Sequence, residues 1–111
     1  MKLMTKAIIE ILPALHSTED KDPADIPIIA KFFTPWSNWT HFVTEGEAIL
    51  DDNDQPTGDY LFFGFVVGFE RELGYFVLSE LEEVNGPCGL KIERDLHFTG
   101  TLAEVMSGKK S

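Results

Sequence analysis

Residues 60–69 read Tyr-Leu-Phe-Phe-Gly-Phe-Val-Val-Gly-Phe, and this run decides the fold. Its large apolar side chains occupy consecutive positions, so they cannot all face one side of an extended chain. The run therefore reads as an interior strand covered on both faces. Gly64 and Gly68 allow a bulge or a close approach of another chain segment. Downstream, Glu70–Gly74 turns the chain and Tyr75–Leu78 forms the next strand. Upstream, Asp51–Asp59 (DDNDQPTGD) is a turn cluster. Before it, Trp39–Leu50 has a weak period of two: Trp39, His41, Val43 and Glu45 alternate with Thr40, Phe42, Thr44 and Gly46. Gly46 is the expected bulge or bend in this strand. Ile28–Phe33 is β-branched and aromatic and forms an earlier strand, linked through the turn Thr34–Asn38. Successive strands with short connections imply an antiparallel sheet.

Helices flank these strands. Met4, Ile8, Ile11, Leu12 and Leu15 have helical spacing, with Thr5 as N-cap. Pro13 ends or kinks that helix at Leu12. Residues 16–27 read as a loop. Ser79-Glu80-Leu81-Glu82 has the form of a capping box opening a short helix that stops before Asn85-Gly86-Pro87. Thr101-Leu102-Ala103-Glu104 has the same form and opens a last helix to Met106, followed by a frayed tail, 107–111. The predicted class is α+β: one domain, with an antiparallel β-sheet, an N-terminal helix and short C-terminal helices laid on one face or end of the sheet.

The chain has 111 residues, enough for one self-sufficient core. Its single cysteine, Cys88, excludes an internal disulfide and fits a reducing cytoplasm. Glu10 and Pro13 interrupt the apolar N-terminal stretch, and no small-residue cleavage site follows, so export is not expected. No stretch approaches the roughly 20 apolar residues of a membrane span. The formal charge of −10, from 19 acids against nine bases, argues against direct nucleic-acid or anionic-membrane binding. It suits a basic partner.

No cofactor motif is present. His16, His41, His97 and Cys88 lack zinc-like spacing. The turn at Asp51 starts like a calcium loop, but Pro56 stands where glycine is required and Phe62 where the bidentate glutamate belongs. Carboxylate pairs at a spacing of two, Glu45 with Glu47, Glu70 with Glu72 and Glu93 with Asp95, each share one strand face. They could serve acid–base work or a divalent ion, but with 19 acids in the chain such pairs arise by chance, and a solvated strand face is the favoured reading. Trp36 and Trp39 are costly to expose. Trp36, on the turn, reads either as a surface anchor of the kind that dominates interfaces or as core; Trp39 leans towards core.

Lys31-Phe32-Phe33-Thr34-Pro35, Ser37-Asn38-Trp39-Thr40, Thr44-Glu45-Gly46-Glu47 and Asp59-Tyr60-Leu61-Phe62-Phe63-Gly64 form a specific set of strings. Glu72-Leu73-Gly74-Tyr75-Phe76, Leu78-Ser79-Glu80-Leu81, Gly86-Pro87, Gly89-Leu90 and Ile92-Glu93-Arg94-Asp95-Leu96 continue it. From about Leu3 to Phe98 the chain resembles a family of small bacterial proteins catalogued as a domain of unknown function, the one numbered 2958. The resemblance implies a cytoplasmic accessory of plasmids, conjugative elements or phages, whose relatives are sometimes fused to anti-restriction or DNA-processing domains. It supplies no catalytic residue. Phe32, Phe62, Phe63, Leu73 and Phe76 are explained by packing. Asn38, Glu45, Glu47, Glu72, Glu80, Glu93, Arg94 and Asp95 are not, and they join Trp36 and Trp39 as candidate binding residues.

The leading expectation is a non-enzymatic module that binds a protein, such as one with a basic nucleic-acid-binding site. Countering host defence or assisting DNA processing would be its role, with DNA mimicry as the sharpest version. The alternative is a small divalent-metal hydrolase or nuclease using Glu45, Glu47 and Asp59 or Glu93. A third possibility is a homodimer formed through the sheet edge at Ile28–Phe33 or Tyr75–Leu78.

Overall fold

The computed structural model describes residues 2–111. Five antiparallel strands form one sheet in the order β4-β3-β2-β1-β5: β1 Ala30–Phe33, β2 Thr40–Leu50, β3 Pro56–Val67, β4 Arg71–Val77 and β5 Glu93–Arg94. The helices are α1 Lys6–Ile11, α2 Leu78–Glu82 and α3 Leu102–Met106. The class is α+β, as the sequence implies.

The sheet separates two cores. On its front face Phe32, Val43, Phe62 and Phe76 pack under Leu3, Met4 and Ile8 from the α1 end and Leu78 and Leu81 from α2. On its back face Phe42 and Phe65 pack under Ile26, Ile28 and the α3 residues Leu102 and Val105. The helices therefore divide between both faces, where the sequence suggested one face or end. The dense aromatic run of β3 has this cause: Phe62 feeds one core and Phe65 the other. β3 is an interior strand, flanked by β2 and β4.

The bulge in β2 lies at Thr44, two residues before Gly46. Val43 pairs with Gly64 and Glu45 with Phe63, so Thr44 is the additional residue. Its hydroxyl donates to the Phe63 carbonyl at 3.1 Å, satisfying a ladder acceptor beside the slip. The bulge reverses the alternation: Trp39, His41 and Val43 belong to the front, whereas Glu45 and Glu47 belong to the back. Gly46 has a different task. A Cβ there would meet Phe62 at 2.8 Å and Leu12 at 3.1 Å, and its amide donates to the Pro13 carbonyl at 2.9 Å. It lets the chain after α1 lie directly on β2.

Four local expectations change. The β2–β3 turn is shorter than DDNDQPTGD, because β3 begins at Pro56 and Asp51 folds the turn by accepting from the Asn53 and Gln55 amides. β4 begins at Arg71, so the β3–β4 turn is only Gly68-Phe69-Glu70. Ser79 is not the N-cap of α2: Val77 holds that position, and the Asp59 carboxylate of β3 caps from across by accepting the Ser79 amide at 2.9 Å. β1 lies between β2 and β5, so of the two segments named as pairing edges only β4 is an outer strand. Thr5 and the Thr101/Glu104 capping box stand as read. In the tail, the Lys109 and Lys110 amides donate to the Glu104 carbonyl.

The slip at Thr44 presses β2 against β3. A Cβ on Gly64 would lie 1.8 Å from the Phe42 carbonyl oxygen, whereas one on Gly74 would meet nothing within 4 Å. Gly64→Ala is expected to destabilise the protein by about 3 kcal/mol or more, at the upper end of overpacking costs. Gly74→Ala should change stability by less than about 1 kcal/mol. Urea unfolding midpoints of both variants check this.

Candidate binding site

The tip of the β1–β2 hairpin is fixed by its own polar groups. The Thr34 amide donates to the Trp39 carbonyl at 3.0 Å, the Trp39 amide donates to the Thr34 hydroxyl at 3.3 Å, and the Thr34 and Ser37 hydroxyls bond each other. This tip carries both indoles, and each is seated on a glycine. A Cβ on Gly86 would lie 2.6 Å from the Trp36 ring, and one on Gly68 would lie 2.2 Å from the Trp39 ring. Trp39 also meets Phe69 edge-on, with ring centroids 5.4 Å apart, and Phe69 is 95% exposed at the tip of the β3–β4 turn.

His41 follows on the same face. Its ring lies 6.3 Å from that of Trp39 at an interplanar angle of 21°, and 4.9 Å from that of Phe76. Trp36, Trp39, His41 and Phe76 wall a cavity of about 400 Å³. Leu81, Val84 and Ile92 close its apolar side, and Thr34, Ser37 and the exposed Glu80 stand at its polar rim. Burial lowers the His41 pKa from 6.5 to about 4, so the imidazole is neutral near pH 7. Its Nδ1 is cut off from solvent and has no hydrogen-bond partner.

The candidate residues do not all meet. Trp36, Trp39 and Glu80 share the cavity. Glu72 lies on the same face, opposite Val66, which in turn lies opposite His41. Asn38 lines a back-face cleft of about 320 Å³ with Lys31, Arg71 and Lys110. Glu47 is exposed and pairs with Leu61. Glu93 and Arg94 form the two-residue strand β5, opposite Phe33 and Phe32. Asp95 pairs with Lys31 at 3.5 Å and accepts the His97 amide at 2.9 Å.

Glu45 is buried and has an internal task. It accepts from the His16 amide at 2.8 Å, the Thr18 amide at 2.9 Å and the Thr18 hydroxyl. Burial alone would raise its pKa, but these donors outweigh burial and hold it below the usual carboxylate range. Asp59 is similar: desolvation alone would raise it, but the Ser79 and Tyr60 donors together outweigh burial and leave it below its ordinary value. Among the described residues no group of three or more His, Cys, Asp or Glu side chains is placed to hold a metal ion. No helix among them is long and apolar enough to cross a membrane.

His41, Phe76 and Phe69 were not singled out from the sequence as site residues. For Phe69 a signal was present: a phenylalanine between Gly68 and Glu70 in a tight turn has no core to enter. For His41 the pairing of Trp39 with a residue two positions on marked a shared strand face, but nothing local indicated a cavity.

This geometry defines a small α+β domain with one aromatic-walled, acid-rimmed cavity on its front face. The chain belongs to the family described as Protein of unknown function (DUF2958), which matches residues 3–107. No curated protein and no solved structure matches it.

Two pH effects follow. For His41 the unfolded state holds the extra proton first, so stability should fall as pH drops from 6.5 towards about 4, at no more than about 1.4 kcal/mol per pH unit. His41→Phe should remove that slope. For Glu45 the stabilisation is complete above the unfolded carboxylate pKa and is lost as pH falls through the lower folded value. Glu45→Ala, which strands three donors, should cost about 3 kcal/mol at neutral pH. Unfolding midpoints across a pH series check both.

Proposed function

We propose that the protein is a non-catalytic binding module that engages a protein partner through the front face around the Trp36–Trp39 cavity. The observation that carries this reading is convergence. The β1–β2 turn, β2, β4 and α2 each contribute a side chain to one cavity, and Phe69 stands almost fully exposed beside it. Tryptophan and other large aromatics concentrate binding energy when they are buried by a partner. An exposed aromatic tip next to an open apolar pocket is a costly surface unless something covers it.

The carboxylates considered for metal chemistry support contact over catalysis. Glu45 is engaged with the 16–18 segment, Asp59 with α2, and Glu93 lies across the sheet on β5. The acids are also dispersed. Asp22, Asp51, Asp95 and Glu104 each accept a backbone amide of their own turn or helix start, whereas Glu45 and Asp59 accept amides of distant segments. Such dispersal favours capture of a basic protein surface over imitation of a phosphate row. The family resemblance suggests the setting: an accessory of mobile DNA acting on a host-defence or DNA-processing protein in the cytoplasm.

A photo-crosslinking residue placed at Phe69, and separately at Asn53 on the exposed β2–β3 turn, tests the reading in cells that carry the protein's native partners. A discrete protein adduct is expected from position 69 and none from 53, with the yield falling as salt is added. Trp39→Ala should reduce the adduct about tenfold, the equivalent of about 1.4 kcal/mol. Equal labelling from both positions, or none from 69, overturns the proposal.

A further inference from the structure

We propose that the cavity walled by Trp36, Trp39 and Phe76 receives an arginine side chain of the partner, with its guanidinium stacked on indole and paired with Glu80. This deepens the binding-module reading and rests on it. Charge complementarity is the first argument. Glu80 is the only Asp, Glu, Lys or Arg lining the cavity, and Glu72 lies on the same sheet face. The whole chain carries −10. A cation approaching this face meets no lysine or arginine in the cavity wall.

The aromatic wall is the second argument. Cations are attracted to the faces of aromatic rings, tryptophan most strongly. Both tryptophans of the chain are here, each held in place by a glycine backbone that leaves no room for another side chain. Pre-placed rings lose little freedom when a ligand arrives. His41 completes the wall without opposing a cation, because burial keeps it neutral.

The third argument separates arginine from other occupants. A wholly apolar side chain would desolvate the Glu80 carboxylate and give it no partner. A lysine ammonium is a compact, strongly hydrated point charge. A guanidinium is flat and weakly hydrated, and it presents a fork of donors that matches a carboxylate while its face rests on a ring. The cavity wall carries both kinds of group, indole rings and a carboxylate.

Because no tryptophan lies elsewhere in the chain, intrinsic tryptophan fluorescence reads this cavity directly. The probes are four blocked tripeptides, Gly-X-Gly, with X arginine, citrulline, lysine or leucine, titrated into the intact protein. The arginine peptide should give a saturable change with an apparent Kd in the millimolar range. The citrulline peptide, which has nearly the same shape but no charge, should bind at least tenfold more weakly, and lysine and leucine several-fold more weakly. Glu80→Gln, at an exposed position, should weaken arginine binding about tenfold and leave the unfolding midpoint unchanged. No saturable change with arginine, equal binding of citrulline, lysine or leucine, or indifference to Glu80→Gln overturns the proposal. If arginine binding fails while crosslinking from position 69 persists, the binding-module reading stands and the arginine assignment falls. If both fail, both fall.

Discussion

The slip at Thr44 is the constraint on which the rest of the molecule depends. One additional residue in β2 reverses which side chains face front and back. Without it, Glu45 would follow Val43 onto the front face, into a core of Phe32, Phe62 and Phe76. With it, the carboxylate reaches the back, where the His16 and Thr18 amides need an acceptor. The front positions before the slip are left to Trp39, His41 and Val43. The same residue thus separates the half of β2 that builds the cavity from the half that anchors the 16–18 segment. Gly64 is the counterpart on β3, since only a residue without Cβ tolerates the Phe42 carbonyl at that distance.

Glycine plays a second part around the cavity. Gly68 and Gly86 lie on different connections, one after β3 and one after α2, yet each forms the floor under an indole. A flat ring on bare backbone is held by dispersion over a broad area without a side chain having to be ordered as well. Gly64 and Gly74 face each other across β3 and β4, between the row of Phe62 and Phe76 and the row of Val66 and Glu72. On the same face the His41 and Phe76 rings meet with centroids 4.9 Å apart. The aromatic runs and the glycines among them are therefore one design: the rings supply the area and the glycines supply the places to put it.

Much of this was legible in the sequence, and the limits have physical causes. The interior strand through 60–67, the turn at 34–38, the Thr5 cap and the Thr101/Glu104 box depend on neighbours along the chain, and local chemistry reports them. The Ser79 box failed because a tertiary partner, Asp59, was better placed to cap α2 than the residue in sequence. The bulge was assigned to the glycine, the residue that permits one, but it fell on a threonine whose hydroxyl could satisfy the displaced carbonyl. At the site, the pairing of Trp36 with Trp39 was visible, as was Glu80. The walls supplied by His41 and Phe76 were not, because they come together only through cross-strand register. Glu45 and Asp95 stood out as polar residues that packing left unexplained; the explanation is hydrogen bonding to distant or neighbouring backbone, which spacing does not reveal.

The strong negative charge has a structural source as well as a surface one. Six carboxylates cap turns, loops or helix starts of the chain itself, and such caps are acceptors by preference, so short connections recruit acids. A fold made of short helices and tight turns accumulates negative charge through this route alone. On the binding-module proposal, the acids available to a partner are those without a backbone to cap and with an apolar surface beside them. Glu80 meets that description at the cavity rim. His41 lines the same cavity, and its buried, unpaired Nδ1 is a polar atom that the core would hold more cheaply as carbon, at a cost of about 1–3 kcal/mol. A phenylalanine would fill that position and remove the cost. A neutral imidazole there adds no positive charge to the cavity wall, as the proposed guanidinium site requires.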